Sequence, residues 1–294
     1  MLNRTVIFAF VMLLQLAAAA QVDSLNRAID CYDKNQLKCA QTAIDAASVH
    51  PQTSIMPKVH LLRGFIYKEI YKTMEVNNVK SPARDQAIAS LIKFIGMDSA
   101  KYDENYPAVI KTIRYLASSY YNNAGQMLNP TDYKTAIQYY ELYDKYMAMI
   151  DNQWNPKIMF VDFYMGLGSG LNDYYESNRS KYPELMEIIG SAYKKVIATD
   201  SSNVTAYYNL GMLYYNMGVV VINESSDELD IADLDKVQGQ ALEYFKLALP
   251  YMLKAYALNP KRKEVLIALS GIYFSMHEEE KSAAIKAELD KLDK

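Results

Sequence analysis

At 294 residues with a formal net charge of −3, the chain is long enough to bury a substantial core and carries no basic excess. Without a basic stripe to neutralise phosphates, nucleic acid is excluded as a natural partner. The 26 Tyr set against 11 Gly and 9 Pro suit helices with aromatic packing rather than a sheet-rich or disordered chain.

Met1 to Ala20 reads as an export signal. Arg4 supplies the positive start, Thr5 to Leu16 an apolar stretch broken only by Gln15, and Ala18-x-Ala20 a small-residue cleavage site. Cleavage near Ala20/Gln21 removes Arg4 and brings the charge to −4. The apolar run falls short of the roughly 20 residues that a spanning helix needs, and no later stretch is long and apolar enough, so no membrane span is expected after cleavage. Export would place Cys31 and Cys39 where a disulfide persists. They flank the polar turn Asp33-Lys34-Asn35-Gln36, either bridged or as two small buried thiols.

From Gln21 onward, helical periods alternate with breaks. Ala28 and Ala40 stand twelve apart, with Ile44 and Ala47 on the same buried face and Pro51 as the stop. A second pair carries Gly64 and Tyr67, then Ser81-Pro82 as cap and first helical residue, then Ala87, Leu91 and Phe94. A third has Ile113, Leu116, Ala117 and Tyr120 before Asn129-Pro130, and Ala136, Tyr140 and Tyr143 after it. Gly166, Gly168 and Gly170 in the fourth predict a close helix crossing rather than a kink. The fifth holds Tyr207-x-x-Leu210-Gly211-x-x-Tyr214, then Ala248-x-x-x-Met252-x-x-Ala255 and Asn259-Pro260. The sixth runs from Leu266 to Leu292, with Ile285, Leu289 and Leu292 inward. The step from break to small residue is ten residues at Pro156 to Gly166, Ser201 to Gly211 and Pro260 to Ser270. Chance matches would not keep that phase.

The order aromatic, Leu-Gly, Tyr, Ala, bulky, Pro in Asn203 to Pro260 resembles the tetratricopeptide repeat. The resemblance implies an all-α fold, a right-handed superhelical array of about six antiparallel helix hairpins. Its units would be approximately 21–53, 54–106, 107–156, 157–201, 202–260 and 261–294, forming a single repeat domain over 21–294. The run ALPYMLKAYALNP followed by ALSGIY is similar to exported repeat proteins of Bacteroidetes-type bacteria. Gly211 and Ala248 are 37 apart where the family has about twelve, which predicts two long helix extensions joined by an acidic tip at 224–235, with a kink at Pro250. The tip is either a solvated charge run or a calcium loop, and it lacks the central glycine of an EF-hand.

Catalytic signatures are incomplete. Ser90-x-x-Lys93 and Ser191-x-x-Lys194 lack the partner motifs of the penicillin-binding enzymes, and Gly166-x-Gly168-x-Gly170 lacks dinucleotide-loop spacing. His50, His60 and His277 show no helical zinc spacing and are expected at the surface or at helix ends. No enzyme, cofactor or metal is expected, and a hydrolase is the weakest reading. Carrying the family's groove offsets onto this chain gives Lys58, Lys68, Lys111, Arg114, Tyr121, Asn122, Phe160, Phe163, Tyr208, Tyr215 and Asn216. The Lys-Asn-Asn-Lys-Arg set of carboxylate-clamping relatives is not reproduced, and the tyrosines alternatively pack between repeats. The resemblance implies a scaffold that binds a protein or peptide in the cell envelope; the alternative is a structural subunit of an envelope secretion or assembly complex that uses the long 203–260 hairpin.

Overall fold

The computed structural model describes residues 23–97, 99–225 and 230–292. The expected export signal, and residues 226–229 of the acidic tip, lie outside them. The described residues are helical and form no strand. The fold is all-α, built from antiparallel helix hairpins of the tetratricopeptide-like kind, and divides into two compact units.

The first unit reaches Ala124 and takes in Ile137–Trp154. Helix α1 covers residues 23–33. Asn35 then turns the chain at φ 56°, a left-handed conformation that Asn tolerates better than most residues. Helix α2 follows at Leu37–Val49, and a Cys31–Cys39 disulfide with Cα atoms 5.8 Å apart closes the hairpin. Helix α3, Pro57–Ile70, widens into a π-helical turn at Tyr71–Glu75. Ser81 then caps α4, Pro82–Ile95, its hydroxyl accepting from the Arg84 backbone N–H at 3.0 Å while donating to Glu75 at 2.6 Å. A Cβ added at Gly64 would lie 2.3 Å from Leu91, so α3 and α4 approach as closely as they do because position 64 has no side chain.

Polar side chains tie these helices together. Arg63 donates to Asp45 at 2.9 Å, to Ser90 at 2.8 Å and to Gln86 at 2.8 Å, joining α2, α3 and α4. Helices α5, Tyr106–Gln126, and α6, Tyr133–Ile150, meet through an aromatic seam: Tyr120 packs edge-on to Tyr139 at 5.2 Å, and Tyr121 lies 5.0 Å from Tyr143. Arg84 is fully buried beneath that seam, its guanidinium 3.8 Å from the Tyr120 ring centre and 4.9 Å from that of Tyr139. The ring faces and the Val79 carbonyl, at 3.1 Å, replace much of the hydration it has lost.

The second unit comprises Gly125–Ala136 and the chain from Asn155 onward. It contains α7 (Lys157–Ser177), α8 (Leu185–Thr199), α9 (Val204–Asn223), α10 (Ile231–Leu258), α11 (Lys263–Ser275) and α12 (Glu279–Leu292). The three-glycine stretch of α7 stays helical. A Cβ at Gly168 would meet the Tyr193 ring at 2.6 Å, and one at Gly170 would sit 3.1 Å from the Leu128 carbonyl oxygen, so the stretch marks a close crossing. Gly211 faces Met252 and the Ala248 carbonyl in the same way, and Gly218 faces Phe245. In the last hairpin serine takes the place of glycine, and Ser282 Oγ donates to the Ser270 carbonyl at 2.9 Å. The long α9/α10 hairpin is present, but α10 begins at Ile231 behind an Asp230 cap, so residues 231–235 of the expected acidic tip are helical; α10 runs helical through Pro250.

Candidate functional site

Two of the expected groove residues meet around one small pocket in the second unit. Ser169 and Asn172 from α7, Tyr193 from α8, and Tyr208, Asn209, Met212, Leu213 and Asn216 from α9 line a cavity of about 240 Å³. Asn209 and Asn216 stand seven apart, two helical turns, which puts both amides on one stripe of α9. Every lining residue is uncharged. Primary amides offer two donors and an acceptor each, a set that matches the alternating N–H and C=O groups of a peptide backbone.

The pocket's chemistry is set by burial. Tyr193 is buried, and loss of water holds its phenol neutral, pushing its pKa up to about 12, while its hydrogen bond with Asn209 works in the opposite direction. Burial likewise raises Tyr208, countered by the Arg262 guanidinium lying 4.9 Å from its ring centre. Asn216 donates to Glu176 at 3.4 Å, which fixes its acceptor oxygen away from that carboxylate. An adjacent cavity of about 550 Å³ carries both Glu176 and Arg179, bonded to each other.

The other expected groove residues have various fates. Phe163 is buried at 4% exposure and packs edge-on against Tyr164, so it belongs to the core and not to a groove wall. Phe160 is half-buried, with its ring 4.5 Å from that of Tyr164. Tyr215 leans on Phe245 at 5.5 Å, and Tyr121 on Tyr143, so these tyrosines serve packing between helices. In the first unit Lys58, Lys111 and Asn122 are exposed. Lys68 pairs with Glu69, and Arg114 lies 3.5 Å from the Asp151 carboxylate.

Sequence reasoning also left out Asn172 and Asn209. Their signal was available, since amides repeating at helical spacing beside the repeat's aromatic positions are neither core nor ordinary surface. His50 and His277 lie at helix ends as expected. His60 differs: it is in the first turn of α3 but only 3% exposed, its Nε2 2.7 Å from the Ser54 carbonyl oxygen. Burial lowers its pKa, and that effect outweighs the opposing pull of the carbonyl.

No protein-family profile matches the chain, and no curated protein matches it. Solved structures do. A tetratricopeptide-repeat protein of Bacteroides fragilis NCTC 9343 is 15% identical and aligns over 86% of this chain and 97% of its own, with a TM-score of 0.45. The MamA RS-1 ArsTM double mutant is 12% identical over 77% of this chain and 94% of its own, with a TM-score of 0.34. MamA of Desulfovibrio magneticus RS-1, from residue 41 onward, is 13% identical over 77% and 95%, also with a TM-score of 0.34.

Proposed function

We propose that the protein is an exported helical-repeat scaffold, without catalytic activity of its own, that holds a protein or peptide partner in the cell envelope. The observation that carries this reading is the uncharged amide and tyrosine pocket of α7, α8 and α9, whose donors and acceptors suit main chain rather than a charged metabolite. The Cys31–Cys39 bridge supports an oxidising compartment, and no described helix is long and apolar enough to cross a membrane. Mass spectrometry of the mature N-terminus tests export: a chain beginning near Gln21 is expected, and an intact Met1 on the exported protein overturns it.

For the pocket, a photo-crosslinking side chain at Asn216 should capture a discrete partner in the native envelope, and one at the exposed Lys254 of α10 should not. Adding Asn209→Ala to the Asn216 probe should abolish the product. Equal capture at both positions, or capture indifferent to Asn209, rules the pocket out.

A second reading is a structural subunit of an envelope assembly that contacts its neighbours through the long hairpin. One observation favours it: none of the ten residues from Ile231 to Gln240 is buried. Deleting residues 224–235 would then release the partner and leave Asn216 crosslinking intact.

A further inference from the structure

Helices α9 and α10 are 20 and 28 residues long, whereas α11 and α12, which follow them, have 13 and 14. At 1.5 Å per residue α10 outruns α11 by about 20 Å. The last hairpin is therefore too short to cover it. Leu234, Ala241 and Phe245 fall at i, i+7 and i+11 on one stripe of α10. Phe245 and Ala241 are buried at the base of the overhang, while Leu234 is 43% exposed nearer its tip. With Ile222 from the end of α9 and Phe274, 62% exposed, from the end of α11, they frame a groove of about 650 Å³. Most helices owe their stability to tertiary cover of an apolar face, and here no described residue buries a side chain over nearly three turns.

The groove's charge selects its occupant. Among the described residues Asp235, Glu279 and His277 line it, and no Lys or Arg does. The nearest cation in sequence, Lys236, is held by Asp233 at 2.8 Å, and the Lys286 ammonium lies over the Phe274 ring, 5.7 Å from its centre, outside the lining. An anionic lipid surface or a nucleic acid would meet like charge at this rim.

We propose that this groove seats one amphipathic helix of a protein partner, with its apolar stripe against Leu234, Leu242 and Phe274 and its Lys or Arg residues beside Asp235 and Glu279. The proposal rests on the second reading above, and it uses the helix-in-groove mode of recognition. Apolar contact supplies the affinity; the opposite charges set orientation and partner choice.

The test uses the purified protein and three synthetic peptides of about 14 residues, roughly four helical turns. One places leucines at helical spacing with lysines elsewhere, the second has glutamates in place of the lysines, and the third scrambles the first. Fluorescence anisotropy should show the Leu/Lys peptide binding at least about tenfold more tightly than either control, and more weakly as salt rises. A Cβ at Gly239, which lines the groove, meets nothing within 4 Å, so Gly239→Trp adds a bulky ring at the groove without a backbone clash. That variant should lose the Leu/Lys peptide at unchanged helical circular dichroism. Asp235→Lys with Glu279→Lys should transfer binding to the Leu/Glu peptide. Binding that survives Gly239→Trp is diffuse charge attraction and overturns the proposal, as does the absence of binding by any peptide. If all three peptides bind equally and Gly239→Trp removes them, the charge selection falls while the hairpin reading stands. If deleting 224–235 leaves the native partner in place, the hairpin reading itself falls.

Discussion

Two glycines with opposite surroundings show how much one missing methyl group decides. At Gly64 a Cβ would be driven into the fully buried Leu91. Gly64→Ala should therefore destabilise the protein by about 1–3 kcal/mol, the usual cost of overpacking a core, as read from chemical denaturation. At Gly239, within an exposed helix and with open space around it, Gly239→Ala should stabilise α10 by about 1 kcal/mol, because alanine loses less backbone entropy on becoming helical. Buried titratable groups add a pH signature. His60 has a lowered pKa in the fold, so its contribution is whole above the ordinary histidine value near 6.5 and is lost as pH falls below it. His60→Gln, which still reaches the Ser54 carbonyl, should flatten that acidic slope in a pH series of thermal melts.

At the scale of elements, each hairpin answers mainly to its neighbours. The Cys31–Cys39 bridge closes a short loop of sequence separation 8, and chain-entropy arguments assign such a crosslink about 2–3 kcal/mol. Because stacked repeats share interfaces only with adjacent ones, reduction should loosen α1 and α2 first. Hydrogen exchange on the reduced protein should speed up there and leave α11 and α12 unchanged. The pairing of helices was readable from sequence because a close crossing restricts side-chain size where it occurs; Gly211 opposite Ala248, the glycine cluster of α7 and the Ser81 cap all announced themselves locally, whereas the Tyr193 ring that Gly168 faces did not. The groove beside α10 was not. Its helical period tells that Leu234 and Leu242 want cover, but whether cover arrives depends on the length of another hairpin, and no residue in α10 encodes that.

Over the whole molecule the abundance of tyrosine becomes a collective property. Burial raises the pKa of many phenols, most clearly Tyr193, at about 12, and Tyr120, whose hydroxyl also donates to Asp85 at 2.6 Å. A raised phenol stabilises the fold fully below the unfolded value near 10, and that stability is lost as pH climbs through the folded value. Alkaline unfolding should accordingly begin above about pH 10, with tyrosinate absorbance and helical signal changing together. Tyr193→Phe should delay it. The candidate site was half legible for a related reason. Tyrosine at the family's groove positions suits both binding and packing, and only the fold separates Tyr208, beside the amide pocket, from Tyr215 and Tyr121, committed to neighbouring rings.

The abrupt change at Ala241 gives α10 a use as a clock. Amides from Ile231 to Gln240 sit in a helix with no buried side chain, and those from Ala241 to Leu258 sit over the core, so one continuous helix holds a fast and a slow register of deuterium uptake. Whatever occupies the overhang retards only the fast register. The ratio of the two, followed in time, reports the lifetime of that occupancy, with the helix serving as its own internal standard.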